Sequence, residues 1–176
     1  MPYSSYKNQI LYKDNNMKIF LFFVILSPYT FTLSAQSVAE YKSFLIKYEG
    51  YKTSVYKDSL GYATVGIGHR ITNNEIQKHS HYTNSEIDTL FAADLARALA
   101  IANKHFVNFN NLNNNTKLVI VSLCFNLGSG GFAKFRRFIA NVNSGNNKGA
   151  AGELRNSKWA KQVGNRAKDH IAAFCE

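Results

Sequence analysis

The chain has 176 residues, 45% of them hydrophobic and 14% aromatic. That is enough apolar material for one folded domain and argues against intrinsic disorder. The 21 Lys and Arg residues outnumber the 11 Asp and Glu residues and leave a formal net charge of +10, which favours an anionic partner. Nucleic acid, acidic lipid and bacterial cell wall all fit that charge.

The cysteine and histidine content limits the chemistry further. Two cysteines are too few for a scaffold built on disulfides, and no Cys and His cluster has zinc-ligand spacing. Cys124 lies in an apolar run and is predicted to be a small buried hydrophobic residue. A disulfide between Cys124 and Cys175 stays open as an alternative. We expect no metal and no cofactor.

The first 35 residues are typical of a targeting segment. Lys18 precedes an apolar run from Ile19 to Leu26, and small residues follow at Ser34 and Ala35. This pattern predicts a secretory signal that is cleaved after Ala35, and therefore export to the periplasm or the medium. A retained membrane anchor is the alternative, although the apolar run is short for a spanning helix.

The predicted boundary divides the chain into residues 1–35, an N-terminal extension with the signal, and residues 36–176, the functional domain. Met17, directly before the basic residue, is an alternative start. The segment up to residue 35 has three lysines and one aspartate, or +2, so the domain keeps +10 − 2 = +8. The basic character therefore belongs to the domain.

The first element of the domain is predicted to be a helix with apolar residues at helical spacing. Ser37 can cap its start and Gly50 is a natural stop, so Glu49 falls on the last turn. From Ser54 to Ile67, β-branched and aromatic residues on both sides of "DSLG" predict a small β-hairpin.

Helices are predicted for the rest of the domain. "TNSE" at residues 83–86 is a capping box that begins a long amphipathic helix. Residues 117–127 are apolar on nearly every side and predict a helix buried in the centre of a lobe, ending at Gly128. Shorter helices are predicted around residues 135–142, 150–155 and 165–174. The fold class is therefore α+β and predominantly helical: a hairpin lobe, a long connecting helix and a helical C-terminal lobe, with a cleft between the lobes.

Two carboxylates, Glu49 and Asp58, and the hydroxyl of Thr64 lie close together in the sequence, in and just before the predicted hairpin. Cleavage of a glycosidic bond needs one carboxylic acid to protonate the leaving oxygen and a second carboxylate as base or nucleophile. At a helix C-terminus between two tyrosines, Glu49 is favoured as the neutral acid, whereas Asp58, in a turn with backbone N–H groups nearby, is expected to stay charged. The Thr64 hydroxyl can help to hold a water. By spacing alone, ordinary surface residues remain the alternative.

The pattern E-x8-D-x5-T, continuing into "VGIGH", resembles the active-site signature of the phage-type lysozymes, glycoside hydrolase family 24. "LCFNLGSGGF" at residues 123–132 is similar to the family's buried helix with Phe-Asn-x-Gly. "SKWAKQVGNRAKDHIAAF" at residues 157–174 resembles its C-terminal pair of short helices. The resemblance covers nearly all of the domain, with the motifs in the family's order.

This resemblance implies a lysozyme-like fold and hydrolysis, with inversion, of the β-1,4 bond between N-acetylmuramic acid and N-acetylglucosamine in peptidoglycan. It implies that Glu49 is the general acid and that Asp58, with Thr64, activates the attacking water. The expected partner is bacterial peptidoglycan, whose anionic groups suit a basic domain. We also expect a monomer, with transient membrane contact through the N-terminal segment.

The resemblance also indicates substrate contacts. Phe125 and Asn126 match family positions that line the cleft, and Arg166 matches an arginine near the catalytic acid. A solvated charge in the first turn of a helix is the alternative for Arg166. Arg70 is expected to reach the sugar chain.

Two other classes of function are weighed against a hydrolase. A lytic transglycosylase or a peptidoglycan-binding pseudoenzyme on the same fold would not need both Asp58 and Thr64, and both are present. A nucleic-acid-binding module lacks an arginine-rich helix face and any known binding motif here, and export would separate it from its ligand. We therefore expect no nucleic-acid partner.

Asp94 is misplaced for a simple amphipathic helix. At 100° per residue it lies in the middle of the predicted apolar stripe, where a carboxylate is costly unless it is paired. His69 follows the hairpin where this lobe is expected to meet the long helix, and relatives carry the same two residue types. We therefore predict an ion pair between His69 and Asp94, with a bent helix or a wet stripe edge as the alternative.

Overall fold

The computed structural model describes residues 35–58, 60–72 and 80–175. The predicted N-terminal signal lies outside these residues, apart from its last position. Within the described ranges, no helix combines the length and the apolar character needed to cross a bilayer. Helices dominate, and a three-stranded antiparallel sheet is the second component, so the α+β prediction is confirmed.

The N-terminal part of the domain consists of one helix and the sheet. Helix α1 (Ala35–Glu49) begins two residues before the predicted cap, so the assignment of Ser37 as its N-cap was wrong. The helix ends where expected, because Gly50 adopts φ +76°, a conformation that a residue with a Cβ rarely takes. Glu49 is therefore the last helical residue and projects from a fixed terminus.

The predicted hairpin is part of a larger sheet. Strand β1 (Lys52–Lys57) pairs with β2 (Ala63–Gly66), with Tyr56 opposite Thr64. A third strand, β3 (His69–Arg70), pairs with β2 and was not predicted. Two residues are too few to show an alternating pattern, so β3 is defined by its backbone pairing alone. Its position opposite β2 brings Arg70 beside Thr64.

The long connecting helix is α2 (Asn84–His105), and its predicted capping box is confirmed. Thr83 Oγ1 accepts the Glu86 backbone N–H at 3.2 Å, and Glu86 Oε2 accepts the Thr83 backbone N–H at 2.8 Å. A short 3₁₀ helix (Phe109–Asn111) links α2 to the C-terminal lobe.

The centre of the C-terminal lobe is α3 (Asn114–Phe132), which packs against α1 and α2. The prediction of a buried helix that ends at Gly128 is confirmed: Gly128, at φ +62°, breaks the helix, and a short second helical stretch follows up to Phe132. The other helices of the lobe are α4 (Arg136–Asn143), α5 (Asn147–Arg155), α6 (Lys158–Val163) and α7 (Asn165–Ala172). The residue pattern missed α6, which begins at the N-cap Ser157 and is only six residues long.

The core is built mainly from aromatic and branched aliphatic side chains of the helices. Its largest fully buried apolar members include Leu45, Phe106, Phe109, Ile120, Leu123, Phe132, Phe138 and Leu154. Cys124 is buried among them, as predicted, and burial raises the pKa of its thiol. Cys124 and Cys175 are both free thiols, so the disulfide alternative does not hold.

Candidate active site

A cleft of about 760 Å³ lies between the sheet and the helices α2 and α3. Its wall includes the predicted acid, base and hydroxyl and most of the predicted substrate contacts, namely Glu49, Asp58, Thr64, Arg70, Phe125 and Asn126. Residues from α1, the sheet and α3 thus share one solvent-accessible space. Arg166 does not line the cleft and acts from behind it, through Glu49.

Glu49, the last residue of α1, is held by an arginine from the C-terminal end of the sequence. Its Oε1 accepts a hydrogen bond from Arg166 Nη1 at 2.7 Å. The side chains of Glu49 and Arg166 are 16% and 9% exposed, so bulk water screens this ion pair little. Sequence analysis placed Glu49 between a helix terminus and two tyrosines, and the fold adds Arg166 as its direct hydrogen-bond partner.

Space around the other oxygen of Glu49 is set by a glycine. A Cβ placed on Gly68 would lie 3.3 Å from Glu49 Oε2, and Gly68 has φ +71°. A larger residue would therefore crowd the carboxyl group and strain the turn. Since Oε1 is occupied by Arg166, Oε2 is the oxygen left for a proton.

Behind Glu49, Arg166 is fixed by groups that sequence reasoning missed. Its Nη2 donates to Ser122 Oγ at 2.8 Å, and Ser122 is 2.9 Å from His170 Nε2. The Arg166 guanidinium also lies over the ring of Tyr48, 5.0 Å from its centroid. The sequence indicated these partners only weakly. Ser122 is a single hydroxyl residue inside an apolar run, and His170 lies one helical turn after Arg166.

The Asp58 carboxylate has hydrogen-bond donors on both oxygens. Oδ1 accepts the backbone N–H groups of Leu60 at 2.8 Å and Tyr62 at 2.9 Å. Oδ2 accepts a hydrogen bond from Arg70 Nε at 3.0 Å, and the Nη2 atom of the same ion pair lies 2.9 Å from Oδ2. Desolvation raises the pKa of Asp58, but the two backbone hydrogen bonds and Arg70 outweigh it and hold the pKa below its ordinary value. The expectation of an ionised Asp58 agrees with this environment.

Thr64 lies on β2, lines the same cleft as Asp58 and is buried. Its hydroxyl donates to the Tyr62 backbone carbonyl at 3.0 Å. The hydroxyl proton is thereby directed away, and the lone pairs of Oγ1 stay available to accept a hydrogen bond. Thr64 therefore offers an acceptor to a water in the cleft.

The predicted substrate-binding residues differ in the contacts that they already make within the protein. Asn126 Oδ1 accepts the Trp159 Nε1–H at 3.0 Å, so part of its amide is already committed. Phe125 lies against Phe91, with 6.3 Å between ring centroids. Arg70, expected to reach the sugar chain, instead lies on Asp58, although half of its side chain is exposed.

His69 and Asp94, which the sequence analysis paired, are brought together by the fold. His69 Nδ1 lies 2.8 Å from Asp94 Oδ2, and their side chains are 7% and 12% exposed. Arg97, one turn further along α2, is a second partner of Asp94 that was not foreseen. The carboxylate in the apolar stripe is therefore paired twice.

Among the residues that the structure describes, no group of three or more His, Cys, Asp or Glu side chains is arranged to hold a metal ion. What the cleft offers is a pair of carboxylates in different environments, one held by an arginine at a helix end and one by backbone donors and Arg70. A small sheet and a helical lobe that enclose such a pair define a glycoside hydrolase of the lysozyme type.

Comparison with known proteins agrees with that class. The chain belongs to the phage lysozyme family, whose sequence model matches residues 46–171. It is similar to two proteins of Dictyostelium discoideum, "Probable T4-type lysozyme 2" and "Probable T4-type lysozyme 1", with 30% and 31% identity over 154 residues. Each alignment covers 74% of this chain and 91% of the relative. It is also 29% identical over 136 residues to "Peptidoglycan hydrolase gp36" of Pseudomonas phage phiKMV, covering 77% of this chain and 15% of that protein.

Proposed function

We propose that the protein is a lysozyme that hydrolyses the β-1,4 bond between N-acetylmuramic acid and N-acetylglucosamine in bacterial peptidoglycan, with inversion at the anomeric carbon. The observation that carries this proposal is the pair formed by Glu49 and Asp58 in one cleft, each with its own set of partners. Membership of the phage lysozyme family supports it.

In this mechanism Glu49 is the general acid. Its proton passes to the glycosidic oxygen as the bond to the anomeric carbon breaks, and Glu49 becomes a carboxylate. Arg166, at 2.7 Å from Oε1, is placed to stabilise the negative charge that develops during this transfer. The arginine thus favours the product side of the proton transfer.

Asp58 is the general base. A water held near Thr64 Oγ1 attacks the anomeric carbon from the opposite face of the sugar, and one of its protons passes to Asp58. The lowered pKa of Asp58 keeps it ionised and ready to act. The buried Thr64 hydroxyl orients the water because it can accept the second water hydrogen.

The remaining predicted contacts serve substrate binding. Phe125 and Asn126 would border the sugars along α3, and Arg70 would meet the sugar chain at the rim of the cleft. The domain's charge of about +8 would draw it to the anionic peptides and teichoic acids of the wall. We expect an exported monomer whose N-terminal segment is a signal or, as the alternative, an anchor.

The products of wall digestion test this proposal. Purified protein is incubated with bacterial sacculi, and the fragments are analysed for new reducing ends and, by NMR at early times, for the anomer formed. A lysozyme with inversion gives reducing ends in the α configuration. Anhydro-sugar ends would indicate a lytic transglycosylase, and binding without fragments would indicate a pseudoenzyme. Glu49→Gln is the matched control for contaminating activity.

A further inference from the structure

Ser122 and His170 form a polar contact inside the core. Both side chains have 0% exposure, and Ser122 Oγ lies 2.9 Å from His170 Nε2. Among the largest fully buried side chains of the described residues, His170 is the one with polar atoms. A buried polar group is costly unless its hydrogen bonds serve the structure, so the pair calls for a physical reason.

Ser122 Oγ joins Arg166 to His170. Arg166 Nη2 has only hydrogens to give, so Ser122 Oγ is the acceptor of the 2.8 Å contact. The second contact of Ser122 Oγ is with His170 Nε2, and in the neutral ring the tautomer decides which of the two atoms donates. In either tautomer the contact anchors Ser122 Oγ.

The surroundings keep His170 in that neutral form. Burial, and the charge of Arg166, lower the pKa of His170 to about 3, although the backbone of Arg166 and the charge of Asp169 act in the opposite direction. The other charged neighbour is Lys47, on α1, which further opposes protonation. The aromatic rings of Phe44, Tyr48 and Trp159 enclose the imidazole, with centroid distances of 5.6, 4.9 and 5.4 Å.

We propose that Ser122 and His170 are positioning residues for the general acid. The hydrogen bond with His170 Nε2 fixes the position of Ser122 Oγ, a lone pair of Ser122 Oγ fixes Arg166 Nη2, and Arg166 Nη1 is thereby held on Glu49 Oε1. The inference rests on the proposed role of Glu49. Because Arg166 stabilises the carboxylate that forms when the proton leaves, its placement acts on the transition state more than on substrate binding.

Two substitutions remove the hydrogen bonds of Ser122, and two conservative substitutions at the same positions keep a group that can form them. His170→Leu fills the aromatic enclosure but accepts no hydrogen bond, whereas His170→Gln keeps an acceptor oxygen. Ser122→Ala removes the partner of Arg166, and Ser122→Thr keeps it. We expect kcat to fall about 10- to 100-fold in His170→Leu and Ser122→Ala with KM nearly unchanged, and to recover in large part in His170→Gln. The double variant should lose no more than Ser122→Ala alone, because the two residues act in series.

A measurement without substrate separates this proposal from the proposed function. In the full chain, the Arg166 guanidinium is observed by ¹⁵N NMR in the wild type, His170→Leu and Ser122→Ala. A guanidinium held at both Nη1 and Nη2 rotates slowly about its Cζ–Nε bond, so loss of the Ser122 contact should speed that rotation by about threefold or more. An unchanged rotation rate in folded Ser122→Ala overturns the positioning role, even if that variant is a poor lysozyme. If wild-type protein fails to cleave peptidoglycan while the rotation rate rises in the variants, the proposed function fails and the positioning contact stands.

Discussion

The guanidinium of Arg70 lies against one oxygen of Asp58, with Nε and Nη2 at 3.0 and 2.9 Å from Oδ2. Backbone N–H groups of Leu60 and Tyr62 occupy Oδ1. Three hydrogen bonds thus place donors on both oxygens of Asp58. A base must accept a proton from water, so the attacking water competes with Arg70 for Oδ2.

Removal of this arginine should change the acid side of the pH–rate profile. Arg70 helps to lower the pKa of Asp58, so in Arg70→Leu the carboxylate takes up a proton at higher pH and the base is lost earlier on acidification. We expect the ratio of kcat/KM at pH 7 to kcat/KM at pH 4.5 to rise about threefold or more. Arg70→Lys, which keeps the charge, is the control and should retain most of the acid activity. Parallel profiles for wild type and Arg70→Leu would show that the ion pair does not influence the base.

The two carboxylates should be separately indispensable. The amide of Glu49→Gln can still accept a hydrogen bond from Arg166 but has no acidic proton to give. The amide of Asp58→Asn carries no charge to pair with Arg70 and cannot take a proton from water. Positioned proton transfer typically contributes about 10²–10⁴-fold, so each variant should lose at least two orders of magnitude in the clearing of sacculi. Thermal unfolding of both variants checks that the fold persists. More than about a tenth of the wild-type rate in folded Glu49→Gln would remove Glu49 from the role of acid.

The buried pair of Asp94 and His69 should contribute to stability. Its side chains are 12% and 7% exposed, so in Asp94→Asn the imidazole loses a charged partner in a place with little solvent, whereas Arg97, which is 65% exposed, loses one near bulk water. We expect the free energy of unfolding to fall by about 2–4 kcal/mol in urea titrations near pH 6.

Asp88→Asn is a matched control for this variant. Asp88 is also on α2 and pairs with Lys42, but its side chain is 55% exposed. The loss of an exposed pair should cost less than about 1 kcal/mol. Equal losses in the two variants would mean that the pairing of Asp94 with His69 has no special weight.

The buried His170 should make the wild-type protein sensitive to acid. The pKa of His170 is about 3 in the fold, and it is about 6.5 in the unfolded chain. Below pH 6.5 the unfolded state therefore takes up a proton that the folded state does not, and stability falls by at most about 1.4 kcal/mol per pH unit. His170→Gln has no group that titrates here. When the pH falls from 7.5 to 5, its free energy of unfolding should therefore decrease by about 2 kcal/mol less than that of the wild type. A constant difference across this range would contradict a neutral His170 in the fold.

Local features of this protein were predictable from the sequence because their partners are near in the chain. Glu49 at the end of α1, the capping box of Thr83 and Glu86, and the buried helix α3 each follow from a few consecutive residues. The residues of the candidate acid, base and hydroxyl also lie within one short segment, and their spacing carried the family resemblance. The two-residue strand β3 was missed, and the residue pattern alone missed the six-residue helix α6, because both are too short to show a repeating pattern. The family resemblance did imply a pair of short helices over residues 157–174.

The partners of the two carboxylates were decided by the tertiary structure. Residues 117 positions apart meet in the contact of Arg166 with Glu49, 44 positions separate Arg166 from Ser122, and 48 separate Ser122 from His170. Arg70 reaches Asp58 only because a two-residue strand pairs with β2 and turns it toward the cleft. The sequence by itself determined which residue types stand at the ends of the helix and the strands. The packing of α7 and α3 behind Glu49 determined its electrostatic environment, because charge interactions depend on distance in space and on burial, neither of which is encoded in local spacing.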